Sequence, residues 1–280
     1  MNLAVLSGKG GTGKTLAAVN LAEVAGPVLY LDCDVEEPNG RLFFQPQQVG
    51  LEEIALPVPV VDQEVCDGCR QCVDFCRFNA LAYIRDRLIV FEEVCHACGG
   101  CVLVCPKKAI HEKDRVIGRI ESGLSDQVLV HSGILNTGEE SGIPILHRLL
   151  EIRQERPDLP AYMDGPPGTA CIVLETAAAA DYCLLVAEPT VFGAHNLALI
   201  HQLVTLMGKP CGVLLNKCQE GDNPSDQYCR DQGIPIVGRL PFDPALGLLN
   251  SRGEIAARAD EGWRQVFTDI HGRLAREAGL

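Results

Sequence analysis

The octapeptide Gly8-Lys9-Gly10-Gly11-Thr12-Gly13-Lys14-Thr15 constrains this 280-residue chain more than any other segment. It follows a short apolar run, Asn2-Leu3-Ala4-Val5-Leu6-Ser7, and leads into Thr15 to Ala25, where small and apolar residues dominate. That succession reads as buried strand, glycine loop and helix. Gly8, Gly10, Gly11 and Gly13 let backbone N–H groups curl around phosphate oxygens, and the helix adds its positive end. Lys14 is placed to neutralise the terminal phosphates of a nucleotide, and Thr15 to bind Mg²⁺ through its hydroxyl. Gly26-Pro27 breaks the helix, and Val28-Leu29-Tyr30-Leu31 forms a second buried strand that runs into Asp32-Cys33-Asp34. Strand, helix and strand in this order imply a parallel sheet with a right-handed crossover.

The same alternation resumes late in the chain. Strands are expected at Gln127–His131, Ala161–Asp164, Tyr182–Ala187, Cys211–Leu215 and Ile234–Val237, with helices over 143–156, 169–180, 193–207, 223–232 and 252–278. A hydrophobic fraction of 47% with only 5% aromatics suits buried parallel strands and close-packed helices. The fold class is therefore α/β, a mostly parallel doubly wound sheet, interrupted by a second and smaller module.

That module is marked by cysteine. Cys66, Cys69, Cys72 and Cys76, then Cys95, Cys98, Cys101 and Cys105, each read C-x2-C-x2-C-x3-C. This spacing wraps two [4Fe-4S] clusters in bacterial-type ferredoxins, where the fourth cysteine of each run serves the other cluster. One cluster should take Cys66, Cys69, Cys72 and Cys105, and the other Cys76, Cys95, Cys98 and Cys101. Zinc is the alternative, since C-x2-C pairs also build zinc sites, but the doubled run favours clusters. Pro106 follows Cys105 as the pattern asks, whereas Arg77 stands after Cys76. Leu81-Ala82-Tyr83-Ile84 and Leu88-Ile89-Val90-Phe91 look like a hairpin between the runs. The expected domains are 1–59 with 113–280 for the nucleotide part and 60–112 for an inserted α+β ferredoxin-like unit. A unit so small needs its clusters as staples.

A formal charge of −13 argues against non-specific nucleic-acid binding. No apolar stretch approaches the roughly 18 residues of a membrane span, and no secretory signal opens the chain, so a cytoplasmic protein is expected. Fourteen cysteines in a reducing compartment point to metal rather than disulfides.

The second lysine of the loop, Lys9, gives the form K-G-G-T-G-K-T. This resembles the deviant Walker A motif of the MinD/ParA superfamily of SIMIBI-type P-loop ATPases, which includes the Mrp proteins and the nitrogenase iron protein. The resemblance implies that Lys9 crosses a dimer interface to the partner's nucleotide. It implies an ATP-dependent dimer, either a homodimer or a heterodimer with a related ATPase. Asp32-Cys33-Asp34 is similar to the family's first switch segment, which assigns Asp34 to the attacking water. Asp164, in Met163-Asp164-Gly165-Pro166-Pro167-Gly168, is similar to the Walker B acid that holds Mg²⁺ together with Thr15. Asn216 in Leu214-Leu215-Asn216-Lys217 resembles the adenine-reading asparagine, and Pro241-Phe242-Asp243 the neighbouring base contact. The chain most resembles MinD-superfamily ATPases that carry an inserted ferredoxin domain. Gly138-Glu139-Glu140-Ser141-Gly142 is also similar to that group.

Three functions follow from these features. The first is a slow, partner-stimulated ATPase using ATP and Mg²⁺, which couples nucleotide state to electron transfer towards a redox or metallocofactor-binding protein. Lys9, Lys14 and Asp34 would carry its catalysis. The second is an Mrp-like assembly or carrier protein, against which stands the lack of any C-x2-C pair after Cys105. The third is a MinD-like spatial organiser. Its membrane form ends in a basic amphipathic helix, whereas Trp263 to Leu280 has mixed charge and reads as a packed terminal helix. Among the other cysteines, Cys183 and Cys211 are expected in the core. Cys171 is expected as an interface or core thiol rather than a ligand of a subunit-bridging cluster.

Overall fold

The computed structural model describes residues 1–221 and 223–279. Among them a nine-stranded sheet runs in the order β11-β10-β9-β1-β8-β2-β7-β6-β3. Its centre comes from the apolar runs: β1 (Asn2–Ser7), α1 (Lys14–Ala25) and β2 (Val28–Asp32) open the chain. After α2 (Gly40–Phe44), β3 (Gln47–Val61) leads into the cysteine-rich segment, with α3 (Gln71–Phe75), β4 (Leu81–Ile84), β5 (Arg87–Val90) and α4 (Gly100–Leu103). β6 (Ile110–Ser125) returns, followed by β7 (Val128–Leu135), α5 (Ile143–Glu155), β8 (Ala161–Pro167), α6 (Cys171–Ala178) and β9 (Tyr182–Ala187). The chain closes with α7 (Val191–Leu206), β10 (Cys211–Cys218), α8 (Pro224–Gln232), β11 (Ile236–Pro241), α9 (Pro244–Ser251), α10 (Ala256–Ala259) and α11 (Glu261–Glu277).

Strand pairs β2–β7, β2–β8, β1–β8, β1–β9, β9–β10 and β10–β11 are all parallel. Side chains alternate across a strand, and both sides are occupied here. Leu3 and Val5 join Leu21, Phe267, Ile270 and Leu274 in one core against α1 and α11. On the other side, Leu6 and Thr176 of α6 leave no room for a Cβ at Gly165. Gly133 is likewise closed in by Val35 and by Ile145 and Leu149 of α5. β6 and β7 are neighbours joined by two residues, which only an antiparallel hairpin allows.

By compactness the chain divides into two units: Met1–Leu51 with Ile120–Ile134 and Ile143–Leu280, and Glu52–Arg119 with Leu135–Gly142. Within the second unit, Arg115 pairs with Glu139 at 2.6 Å and the Asn136 N–H donates to the Ile117 carbonyl. These bonds fasten the Gly138–Gly142 segment to β6. The β4–β5 hairpin turns at Arg85 (φ 49°) and Asp86 (φ 61°), two positive φ values that match the right-handed strand twist.

One expectation fails in the C-terminal region. The helix expected over 252–278 is broken, because Asp260 leaves the helical backbone and its carboxylate caps the Trp263 N–H, starting α11 afresh. Ahead of it stands α9, unforeseen, capped by Asp243 with Pro244 in its first turn. The terminal helix is packed: Phe267, Ile270 and Leu274 are buried. No described helix is long and apolar enough to cross a membrane.

Candidate functional site

The glycine loop between β1 and α1 lines a cleft of about 740 Å³ within the first unit. Three of its glycines have a local reason. Gly8 lies against the Asn196 backbone of α7, and Gly13, at φ 92°, against the Asn216 amide, so neither has room for a side chain. Gly11, at φ 78°, takes the left-handed conformation that glycine adopts freely. A Cβ on Gly10 or Gly11 would meet nothing within 4 Å, because both face open space. The hydroxyl of Thr12 is buried without a hydrogen-bond partner. An open cradle of N–H groups with an unsatisfied donor is what a phosphate chain fills.

Lys14 is buried, and its ammonium donates to Asp164 Oδ1 at 2.7 Å and stands 3.7 Å from Asp34 Oδ2. Burial disfavours its charge, but Asp164, Asp34 and Asp32 outweigh that and hold its pKa above the ordinary value. Tyr30 OH donates to the second Asp164 oxygen at 3.1 Å. Asp32 is fully buried; its Oδ2 accepts the Gly40 N–H at 2.7 Å while Oδ1 has no partner. Burial and the Asp164 charge push Asp32 well above the usual carboxylate range. Three acids thus surround one lysine. That excess of negative charge is suited to a divalent cation. Thr15 lines the same cleft. The Cys33 thiol is buried and its pKa is driven well up by burial and then by Asp32, so it is not a thiolate.

Asp34 is pushed up to about 6, mainly by burial, with Lys14 opposing and Asp164 adding to the rise. The sign of its effect follows. A carboxyl whose folded pKa lies above 3.8 destabilises the fold once it ionises, and the cost is complete above about 6. Without nucleotide or Mg²⁺, Asp34→Asn is expected to unfold later in urea, by roughly 2–3 kcal/mol at pH 8. The gap should close towards pH 4. Equal stability of the two proteins at pH 8 contradicts this.

Asn216, Pro241, Phe242 and Asp243, expected from the resemblance to face a base, line the same cleft together with Lys217. Asn216 is already engaged: its Nδ2 donates to the Thr12 carbonyl at 2.8 Å and its Oδ1 accepts the Lys217 N–H at 2.9 Å. The Lys9 ammonium meets Glu188 Oε2 at 2.5 Å. Lys217 holds the other oxygen of the same carboxylate at 2.6 Å and the Gly11 carbonyl at 2.8 Å. Burial raises the Glu188 pKa, but hydrogen bonds from Lys217 and Lys9 outweigh it and lower it overall. Sequence reasoning missed Glu188 and Lys217. Glu188 follows β9 directly, and strand ends of parallel sheets are where ligand-facing side chains gather.

In the second unit the two cysteine runs fold as a repeat. Gly68, Arg70 and Asn79 have positive φ after the first run begins, and Ala97, Gly99 and Lys108 repeat the pattern in the second. The Ala80 N–H donates to Cys76 Sγ at 3.4 Å, and the Ala109 N–H to Cys105 Sγ at 3.3 Å. Two cavities result. One is lined by Cys66, Cys69, Cys72 and Cys105, beside Tyr83, Arg70 and Lys107. The other, of about 220 Å³, is lined by Cys76, Cys95, Cys98 and Cys101, beside Phe75, Phe78 and Pro57. Among the described residues no three His, Cys, Asp or Glu side chains converge tightly enough for a single metal ion. The apolar core here is small, and Cys72 and Cys101 belong to it together with Leu81, Leu88 and Ile110.

The remaining cysteines divide. Cys183 and Cys229 are buried, Cys211 and Cys218 are half-buried, and Cys171 is exposed at the first turn of α6. Cys171 is therefore not a core thiol of the single chain.

Comparisons with known proteins agree with this architecture. The chain is 34% identical over 194 residues to the uncharacterized protein MJ0578 of Methanocaldococcus jannaschii, covering 68% of each chain. It is 30% identical over 264 residues to MJ0579 of the same organism, covering 91% of this chain and 90% of that one. The septum site-determining protein MinD of Pyrococcus horikoshii, solved in complex with Mg-ADP, superposes with a TM-score of 0.60 at 17% identity. That match covers 99% of this chain and 97% of MinD and shows a shared fold. Residues 3–256 match the model of the CobQ/CobB/MinD/ParA nucleotide-binding domain, and the chain belongs to that family.

Proposed function

We propose that this protein is an ATP-hydrolysing dimeric switch whose nucleotide state governs electron transfer by two [4Fe-4S] clusters to a partner protein. The observation that carries it is the crossed lining of the two cysteine cavities. Each gathers three cysteines of one run and the last cysteine of the other. Four thiols set apart around a cavity suit a cubane cluster, in which each thiolate binds its own iron. Backbone N–H donors at Cys76 and Cys105 would stabilise thiolate charge there. When bound, such clusters supply reversible one-electron transfer. Residues 60–112 would be the inserted ferredoxin-like domain, with 1–59 and 113–280 the ATPase.

The rest of the switch is the work of the chain's own residues. Lys14 balances Asp164 and Asp34. Thr15 and Asp164 would hold Mg²⁺, which would offset the charge of the acids, and Lys14 would then pair with the β- and γ-phosphates of ATP. Gly8, Gly10, Gly11, Thr12 and Gly13 enclose the phosphates, and Asn216 and Pro241 face the base. Asp34, freed from Lys14, orients the attacking water. Lys9, as the second lysine of a deviant Walker A loop, reaches the nucleotide of a second subunit, either an identical chain or a related ATPase. The Mg-ADP complex of the Pyrococcus MinD supports the choice of nucleotide and metal.

Coupling has a route along the chain. Asp34 lies between β2 and α2, Asp32 holds the Gly40 N–H at the start of α2, and β3 then carries the chain towards the cysteine runs. Only contacts that differ between the ATP and ADP states shift such an equilibrium. The test compares the two states directly: protein purified without oxygen, its iron and sulfide counted, is titrated electrochemically in Mg-ATP and in Mg-ADP. Potentials that differ support the switch. A chain that holds neither iron nor sulfide overturns it.

A further inference from the structure

Glu188 has no part in the function described above, yet it organises the rim of the phosphate loop. Its carboxylate is largely buried, 13% exposed, and each oxygen holds a different lysine. Lys9 and Lys217 are themselves 34% and 42% exposed, so the acid sits beneath two solvent-facing cations. Lys217 is held in place by its backbone. It adopts φ 58°, a left-handed conformation rare for lysine, at a register irregularity between Leu215 and Cys218 of β10. Strain of this kind persists only where surrounding bonds fix it. Here they are the Lys217 N–H on Asn216 Oδ1 and the ammonium on both Gly11 and Glu188.

We propose that Glu188 is a latch that holds Lys9 on its own chain until nucleotide binds, and that Lys217 makes the latch releasable. The inference rests on the reading that Lys9 acts on a second copy of this chain. A lysine committed to a carboxylate of its own subunit is unavailable to a partner's phosphates. Leaving a single buried carboxylate alone would oppose release strongly. With Lys217 on the other oxygen, Glu188 stays paired when Lys9 departs. The two lysines therefore act in opposite senses. Glu188 holds Lys9 back, and Lys217 lowers the cost of letting it go. Because Lys217 also grips the Gly11 carbonyl, the same contact registers the position of the phosphate loop.

The opposite senses make the inference testable with the full-length protein. Sedimentation equilibrium in Mg-ATP gives the concentration at which the chain self-associates. Glu188→Gln keeps the shape and removes the charge, and is expected to lower that concentration about tenfold. Lys217→Met is expected to raise it by a similar factor, because Lys9 is then the only partner of the carboxylate. Glu188→Asp keeps the charge on a shorter arm and should fall between Glu188→Gln and the wild type. A role in rigidity alone would move Glu188→Gln and Lys217→Met in the same direction. That outcome, or wild-type association of Glu188→Gln, overturns the latch. Lys9→Met separates the two ideas: if it associates in Mg-ATP as the wild type does, or if the wild type never associates, action across a dimer fails and the latch falls with it. If Lys9→Met weakens association and Glu188→Gln changes nothing, the latch alone is wrong.

Discussion

Lys14→Met is expected to lower affinity for Mg-ADP and Mg-ATP about 100-fold, and also to lower the stability of the empty protein. The first effect follows from losing the one buried cation at the end of the phosphate loop. The second comes from the acids left behind. Lys14 is 7% exposed on its side chain, 2.7 Å from Asp164 and 3.7 Å from Asp34. Removing one partner of a buried pair leaves charge uncompensated, at about 3–5 kcal/mol, or about 10 °C in melting temperature for a chain of this size. The loss should shrink as pH falls, because Asp34, pushed up to about 6 even with Lys14 opposing, becomes neutral more readily without it. Added Mg²⁺ should restore part of the melting temperature, since it replaces the missing cation. Calorimetric titration with Mg-ADP and melting curves across pH check both effects. Less than a tenfold change in affinity would mean that the phosphates bind elsewhere.

The second large effect concerns which cysteines act together. If the cavities hold clusters as proposed, Cys72 and Cys105 serve one and Cys76 and Cys98 the other. Cys72→Ser combined with Cys105→Ser should then leave about four of about eight irons per chain. Cys72→Ser with Cys76→Ser removes a ligand from each set and should leave almost none. A linear assignment, with each run serving its own cluster, gives the reverse: Cys72 with Cys76 would leave half and Cys72 with Cys105 almost none. The surviving cluster in the first variant should keep its own paramagnetic signal on reduction. The doubly depleted variant should also lose order in residues 60–112, because the buried apolar core there is small and partly made of cysteine.

The central sheet was legible from sequence because its strands are buried on both faces and read as uninterrupted apolar runs. The meeting of the glycine loop, Asp34 and Asp164 was legible because each follows an apolar strand run, and such strand ends gather at one edge of a parallel sheet. β3 and β6 were not, since Glu52-Glu53 and His111 to Arg119 are charged and largely exposed, with no apolar run to betray a strand. The single helix expected over 252–278 hid the break at Asp260, and α9 ahead of it was missed although Asp243 followed by Pro244 is an ordinary helix start. Glu188 stayed hidden for another reason. Its partners, Lys9 and Lys217, lie far from it in sequence and meet it only once β9, β10 and the loop are side by side. The cysteine spacing named the two crossed sets, but the cavities that gather them depend on left-handed turns at Arg70, Asn79 and Lys108, which the residue types do not announce.

The most direct test of the account is the midpoint potential of each cluster, measured without oxygen in Mg-ATP and again in Mg-ADP. Nucleotide and electron are linked, so a tenfold preference of one redox state for Mg-ATP over Mg-ADP must appear as a difference of about 60 mV. The expected result is a shift of at least that order in one cluster or both, absent in Lys14→Met. Potentials that are equal in the two nucleotides, together with equal rates of electron transfer to every acceptor tried, would contradict the coupling.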